Sequence, residues 1–442
     1  MNLNNIKKEE DKAEFDLICF FNKRASFSSI KSIFFHPMNQ HQTKEKLLVI
    51  SQIQIWDMKK NAGKAVMDKT FQEFGSQYDL TIIAPGDAIQ YGSSKFYPLK
   101  STIEDKIGKI YLIGHLFRYF AFYLFYLDVK KIIEKNGLNP DIIYLVGYYA
   151  AFAGSKIYKN KKFTINRYYG VAWNEKTFHT LKDRVKMIVR KYCFRHFAQL
   201  IILTNDGTKG DLFFKKIGYQ GNQFYFLKNG IEMDYALESD FKTKFILKHN
   251  LPNDVLLLLT VSRLAAWKKV ERAIEALVAI KEKVPNAVLV IVGSGETSES
   301  LKNLAVQLNV QDHVIFAGAI SHDVLPNFYQ MTDIFLSLYD YSNAGNPLFE
   351  AMLHRKAIVT INNGDTLDFI SHEAAKIIDD FDAAQLVEAT LQLLENEKLR
   401  TQLGNKAHAL LRQNFQSWDE RIQTEVNIIN NQYHHYLESK EC

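Results

Sequence analysis

Two cations five residues apart, Arg263 and Lys268, stand in TVSRLAAWKK behind an apolar run, VLLLLTVS (255–262), that reads as a strand. Arginine offers a planar fork of donors and lysine a compact charge. At the carboxyl end of a strand, beside the free N–H groups of a following helix, such a pair makes a diphosphate site. A pair of solvated surface cations is the plainer alternative. Further on, SNAGNPLFEAM (342–352) runs a loop of small and polar residues into a helix start with a single carboxylate, Glu350. Pro347 suits the first helical turn, where its missing N–H costs nothing. Leu348, Phe349, Ala351, Met352 and Leu353 then form the buried side, and the first-turn N–H groups favour a negative or oxygen-rich ligand. A turn built from Gly and Asn for its own sake is the competing reading. Between these segments, GSGE (293–296) follows a strand and precedes a helix, so Gly295 lets a backbone approach a ligand closely, short of a full dinucleotide fingerprint.

The elements that must position these residues follow a strand–helix rhythm. LLVISQI (47–53), LTIIAP (80–85), DIIYLV (141–146), FTINRY (163–168) and LIILTN (200–205) read as buried parallel strands, with helical patterns near 62–75, 105–136, 149–158 and 176–196. A second set restarts with 255–262, 287–293, 313–318, 333–338 and 357–361, separated by helices near 268–284, 298–308, 322–331, 347–355 and 383–395. The expected fold is α/β, with two Rossmann-like doubly wound domains facing each other across a cleft. The expected domains are 38–240 and 241–416, joined in the charged segment around 236–253. A last helix starts near Ser417, where Ser417 and Glu420 have capping-box spacing, and 417–442 could cross back onto the first domain. Residues 1–37 show no clear period and are expected to be an appendage to a unit beginning near Met38.

Composition sets further bounds. With 442 residues, 47% hydrophobic and only 8 prolines, the chain can bury large cores. Cys19, Cys193 and Cys442 are scattered, which suits a reducing compartment and argues against a disulfide framework. The opening MNLNNIKKEEDKAEF is polar with no apolar core segment, so a signal peptide is not expected. Residues 1–240 hold 36 Lys and Arg against 24 Asp and Glu, a net +12, whereas residues 241–442 hold 19 against 25, a net −6. The basic half suggests an anionic surface or substrate, or only a solvated face. The aromatic run YLIGHLFRYFAFYLFYLDV (111–129) is interrupted by His115, Arg118 and Asp128 and reads as a long half-buried helix, with a membrane-interface helix as the alternative. The histidines show no ligand spacing, and Asp365 with Asp368 reads as a helix cap rather than a metal grip.

The ordered series VSRL…K, LVIVGSGE, VIFAGAIS…LPNFYQMTDIFLSL, NPLFEAM resembles family 4 of the glycosyltransferases, retaining enzymes of the two-Rossmann-domain architecture called GT-B. The resemblance covers roughly residues 47–436 and is strongest over 255–361. It implies that Arg263 and Lys268 hold the donor diphosphate and stabilise the leaving charge. Glu350 matches the second of the family's paired glutamates and would accept from the donor's ribose hydroxyls, as a carboxylate can from two vicinal hydroxyls. The backbone at Ala319 and Ile320 would edge the base. The N–H groups between Asn346 and Leu348 would face sugar or phosphate, Pro347 itself having none.

Three departures accompany the resemblance. The family's first glutamate falls at Ser342, which carries no charge; Asp340 lies close, two residues out of register. NNGDT (362–366) replaces a Gly-Gly turn. INRYYGV (165–171) puts Tyr168 and Tyr169 where many relatives carry a histidine. In the first half, Gly63 occupies the position where a glycine approaches donor phosphate and acceptor. Arg167 could aid an anionic acceptor or form a plain salt bridge. LTNDGTKGDL (203–212) and LKNGIEMD (227–234) resemble the strand-end and linker segments, with Asn229-Gly230 also explicable as a turn.

The resemblance thus implies transfer of a sugar from a nucleotide-diphosphate donor to a glycan or lipid-linked acceptor. The donor is a substrate; no cofactor, metal or nucleic acid is expected, and an anionic membrane surface is a further candidate partner. The expected location is cytoplasmic, including the inner face of a membrane. A catalytically silent homologue that binds a nucleotide sugar, or a sugar-nucleotide epimerase of the same architecture, are the alternatives.

Overall fold

The computed structural model describes residues 44–53, 62–86, 90–99, 121–158, 161–171, 181–221, 223–233 and 235–441. The expected appendage 1–37 and the first part of the aromatic run lie outside them.

The first sheet has seven parallel strands in the order β3-β2-β1-β4-β5-β6-β7. They are β1 (Lys46–Ser51), β2 (Asp79–Pro85), β3 (Lys95–Leu99), β4 (Ile142–Val146), β5 (Phe163–Tyr168), β6 (Leu200–Asn205) and β7 (Phe224–Lys228). Intervening helices are α1 (Ala62–Gln77), α2 (Ala121–Asn136), α3 (Tyr148–Tyr158), α4 (Leu181–Phe194) and α5 (Gly210–Lys216). β1, β4 and β6 are rich in Leu, Ile and Val because helices cover both faces of the sheet.

The second sheet has six parallel strands in the order β10-β9-β8-β11-β12-β13. These are β8 (Leu256–Val261), β9 (Ala287–Val292), β10 (Val314–Gly318), β11 (Ile334–Ser337), β12 (Ala357–Ile361) and β13 (Lys376–Ile378). Helices α6 (Phe241–Lys248), α7 (Glu271–Lys283), α8 (Ser298–Gln307), α9 (Leu325–Met331), α10 (Asn346–Leu353), α11 (Ala383–Glu395) and α12 (Glu397–Asn414) pack around it. Two apolar clusters, one on Leu257, Leu259 and Phe349 and the other on Leu258, Ile274 and Leu336, fill its faces. Successive residues of one strand point to opposite faces, so β8 contributes to both.

The chain passes between the sheets twice. Ile231 and Ser417 form a parallel bridge there, with Ile231 N donating to Gln416 O at 3.0 Å and Trp418 N to Ile231 O at 3.3 Å. Gly230 is needed at this crossing, since a Cβ would lie 2.7 Å from Trp418 Cα. The return leads into α13 (Trp418–Glu441), started by the capping box: Ser417 N donates to Glu420 Oε2 at 2.8 Å and Glu420 N to Ser417 Oγ at 3.2 Å. Val426, Ile429 and Tyr433 of α13 join the core formed by Leu47, Val49 and Tyr144 of the first sheet. Among the described residues, no helix is long and apolar enough to cross a membrane.

Candidate functional site

The strand order of each sheet reverses direction once, between β1 and β4 and between β8 and β11. Ligands of such folds bind in the crevice beyond the carboxyl ends of strands at these points. Arg263 and Lys268 follow β8 directly, and Tyr339 follows β11, so the cation pair lies at the second sheet's reversal. Lys268 ends a single 3₁₀ turn, Ala266–Lys268. Its Nζ sits 3.6 Å from the Tyr339 ring centroid and 4.1 Å from that of Trp267. Trp267 stacks in turn on Tyr341 at 5.5 Å. Among the described residues no carboxylate forms an ion pair with Arg263 or Lys268. Burial, then the neighbouring Arg263 charge, lowers the Lys268 ammonium to about 7. The pair is an uncompensated positive site, the electrostatic complement of a polyanion.

Glu350 lies on the first turns of α10, which begins after an extended Gly345. It lines a cavity of about 160 Å³ together with Asn346, His322, Pro326, Tyr329 and Trp418. Burial raises the Glu350 carboxyl to about 7, against the opposing pull of the Tyr329 hydroxyl. Glu350 in turn helps raise the Tyr339 phenol, behind burial as the main cause. Tyr339 thus touches Lys268 and feels the Glu350 charge, its hydroxyl donating to Val261 O at 2.7 Å. Pro347 takes the first-turn position. The Leu348 N–H is not available as expected, because it donates to Gly345 O at 3.0 Å, and the Leu348 side chain is core. Of residues 346–348, Asn346 is left to offer an N–H to a ligand.

Other expected residues have different surroundings from those anticipated. Ser342 does not face an open sugar site: its Oγ donates to Asp206 O at 3.0 Å and accepts from Ala344 N at 3.1 Å. Asp340 is not a stand-in for a missing carboxylate, since it pairs with Arg272 at 2.7 Å. Asp365 is not a side-chain cap; it precedes a 3₁₀ turn without capping it, and its Oδ2 accepts from Lys209 N of the first domain at 3.2 Å. Gly295 is required by its own neighbours, a Cβ there falling 2.1 Å from Leu264 O. Ala319 is exposed and Ile320 half-buried in the loop after β10, packed at the edge of the second core. Gly63 lies in the first turn of α1, with its surroundings outside the described residues.

Arg167 takes the salt-bridge alternative. Its Nε donates to Glu425 Oε1 at 3.0 Å and its Nη1 to Tyr168 O at 2.6 Å and Thr204 Oγ1 at 2.9 Å, while its guanidinium lies 4.1 Å from the Tyr169 ring centroid. So committed, it is a poor ligand for an acceptor's charge. Tyr168 is core, among Phe194 and Phe214. The sequence reading did not single out Trp267, Tyr339 or Asp206. The aromatic neighbour of Lys268 was visible in AAWKK, whereas Tyr339 reaches Lys268 only through the β8–β11 pairing. Among the described residues no cluster of three or more His, Cys, Asp and Glu could hold a metal.

Residues 241–409 match the family model for glycosyl transferases group 1. An uncharacterized glycosyltransferase of Methanocaldococcus jannaschii is 29% identical over 204 residues, 45% of this chain and 52% of the relative. A GDP-mannose-dependent alpha-(1-6)-phosphatidylinositol monomannoside mannosyltransferase of Mycobacterium tuberculosis is 28% identical over 152 residues, 33% of this chain and 40% of that one. The matches thus span about half the length, or less, of these curated relatives. Among solved structures, Anabaena HepE in complex with UDP and glucose aligns with a TM-score of 0.66 at 15% identity, over 88% of this chain and 100% of that one. That likeness establishes the two-domain GT-B fold.

Proposed function

We propose, from the group 1 glycosyl transferase match over 241–409 and the GT-B fold, that this chain is a retaining glycosyltransferase. It would move a sugar from a nucleotide-diphosphate donor to a glycan or lipid-linked acceptor. The observation that carries this reading is the uncompensated Arg263–Lys268 pair at the reversal point of the second sheet, with Glu350 on the helix after β11. In this scheme the second domain binds the donor: the diphosphate lies on the two cations and the Asn346 N–H, and the ribose hydroxyls donate to Glu350. Such groups, fixed where negative charge develops, stabilise departure of the diphosphate without a metal or other cofactor. The acceptor hydroxyl attacks the anomeric carbon on the face the diphosphate leaves, and its proton passes to the leaving phosphate oxygen. The first domain, with its basic and aromatic α2–α4 face, holds the acceptor and can meet an anionic membrane surface.

Thermal shifts with UDP, GDP, ADP and CMP test the donor site. One diphosphate at about 100 times its dissociation constant adds roughly 2.7 kcal/mol of stability. The expected result is a selective rise on the order of 5–10 °C, lost in Arg263→Ala. No shift with any of them would overturn the donor assignment and favour a homologue that has lost transfer.

A further inference from the structure

A second cavity, of about 260 Å³, opens at the reversal point of the first sheet. At roughly 30 Å³ per water molecule of liquid it has room for a single sugar or polyol unit. Gln52, Gly147, Tyr148, Gly170, Arg190 and Asp206 line it, so the loops after β1, β4, β5 and β6 all contribute. Arg167, at its floor, is neutralised by Glu425 as described above. Arg190 is not: its guanidinium lies 5.8 Å from the Tyr148 ring centroid, and among the described residues it has no carboxylate partner.

Asp206 is half satisfied. Its Oδ1 accepts from Thr208 N at 3.1 Å and Thr208 Oγ1 at 2.6 Å. Its Oδ2 has no partner among the described residues and lies against Gly170, where a Cβ would approach it to 2.1 Å. Gly170, at φ +135, thus keeps this oxygen clear. Burial pushes the Asp206 carboxyl above its ordinary value, as expected for a group with an open hydrogen-bonding position. The Asp206 backbone carbonyl accepts from Ser342 Oγ of the other domain, so the turn that carries this carboxylate also touches the second domain.

We propose that Asp206 Oδ2 accepts the hydrogen bond of the acceptor hydroxyl, and that Arg190 binds an anionic group on the same molecule. The acceptor is then a phosphorylated polyol or sugar, whether free or as a lipid headgroup. Asp206 positions the nucleophile; the proton still leaves with the diphosphate. The inference rests on the glycosyltransferase reading for the reaction, but the cavity's ligand can be tested alone.

The experiment is calorimetric binding to the full chain of sn-glycerol 3-phosphate and of glycerol, with co-sedimentation on phosphatidylglycerol and phosphatidylcholine vesicles. Wild type is compared with Arg190→Gln and Asp206→Asn, and UDP and GDP shifts are recorded for each as a check on folding and donor binding. The expected result is binding of glycerol 3-phosphate but not glycerol, weakened about tenfold or more by each substitution. Binding confined to phosphatidylglycerol vesicles and lost in both variants supports the headgroup form. Absence of binding to either anionic probe, or binding that both variants retain, overturns the proposal. Anionic-probe binding without any nucleotide shift would sink the donor assignment and leave this site standing. The reverse pattern would do the opposite.

Discussion

Lys268 is an ammonium placed where its own charge is disfavoured until a ligand arrives. Two rings and the Arg263 charge surround it, and its titration falls at about 7. A diphosphate on the pair reverses that balance, so binding should draw a proton onto the amine at pH 8. Titrations of the cognate diphosphate in buffers of different ionisation enthalpy should read uptake of up to about one proton, and none in Lys268→Met. The free protein carries the matching signature. Between about 7 and 10.5 the unfolded lysine holds more proton than the folded one, so stability rises with pH across that window, and Lys268→Met flattens the rise. The placement of Arg263, Lys268 and Glu350 at strand and helix ends was legible because they follow apolar runs at short spacings. Ser342 was legible as a departure only. Its partner, Asp206, lies 136 residues away, and no local pattern encodes such a pairing.

At the scale of elements, strands buried along their whole length were readable while half-exposed edge strands were not. The expected 163–168, 200–205 and 357–361 agree with β5, β6 and β12. β3 escaped because it is a half-exposed strand at the sheet edge with Pro98 inside it, a residue tolerated only where a ladder N–H is not needed. β7 closes the other edge, and its FYFLK is half-buried throughout. Helix α13 was legible from its capping box and its return onto the first domain was among the expectations, but the buried ion pairs that hold it there were not legible. Glu425 makes that attachment, pairing with Arg167 at 3.0 Å and Arg421 at 3.0 Å and accepting from the Tyr144 hydroxyl. Burial would raise the Glu425 carboxyl, but the two arginines hold it below its ordinary value. Removing the charge strands two buried cations, so Glu425→Gln should cost about 3–5 kcal/mol. The exposed Lys130–Glu134 pair, at 3.6 Å, is a control, where Glu134→Gln should cost no more than about 0.5 kcal/mol. Denaturant melts of both variants decide this. Equal costs would show that α13 is held by Val426, Ile429 and Tyr433 alone.

At the scale of the whole molecule, two of the three departures from the pattern the sequence resembles, at Ser342 and at 362–366, converge on one turn. Asp206–Lys209 of the first domain is gripped by the loops at 341–345 and 362–366 of the second. Ser342 Oγ donates to Asp206 O at 3.0 Å, Asp365 N donates to Gly207 O at 2.9 Å, and Lys209 N donates to Asp365 Oδ2 at 3.2 Å. Gly207, at φ +76, would place a Cβ 2.0 Å from Ser342 Oγ and 2.6 Å from Ala344 Cβ. Gly207→Ala should therefore part the domains at this seam while leaving each sheet intact. Hydrogen exchange should rise at 341–345 and 362–366, and turnover should fall at least about tenfold, because a misplaced reacting pair is costly. Affinity of the second domain for its diphosphate should stay within about twofold. Asp365 makes the same seam pH-dependent. Burial, then Asp211 and Asp368, raises its carboxyl from 3.8 to about 6, with Lys209 opposing. The joined form holds this proton more tightly than a parted form in which Asp365 meets water. The seam should therefore loosen as pH rises from 3.8 to about 6 and change little above that. Asp365→Asn keeps an oxygen for the Lys209 N–H and removes the charge, so its protection at 362–366, corrected for the intrinsic rise of amide exchange with pH, should be high and constant between about pH 4 and 7. Pronounced loosening of that variant over the same range would place the titrating group elsewhere in the seam.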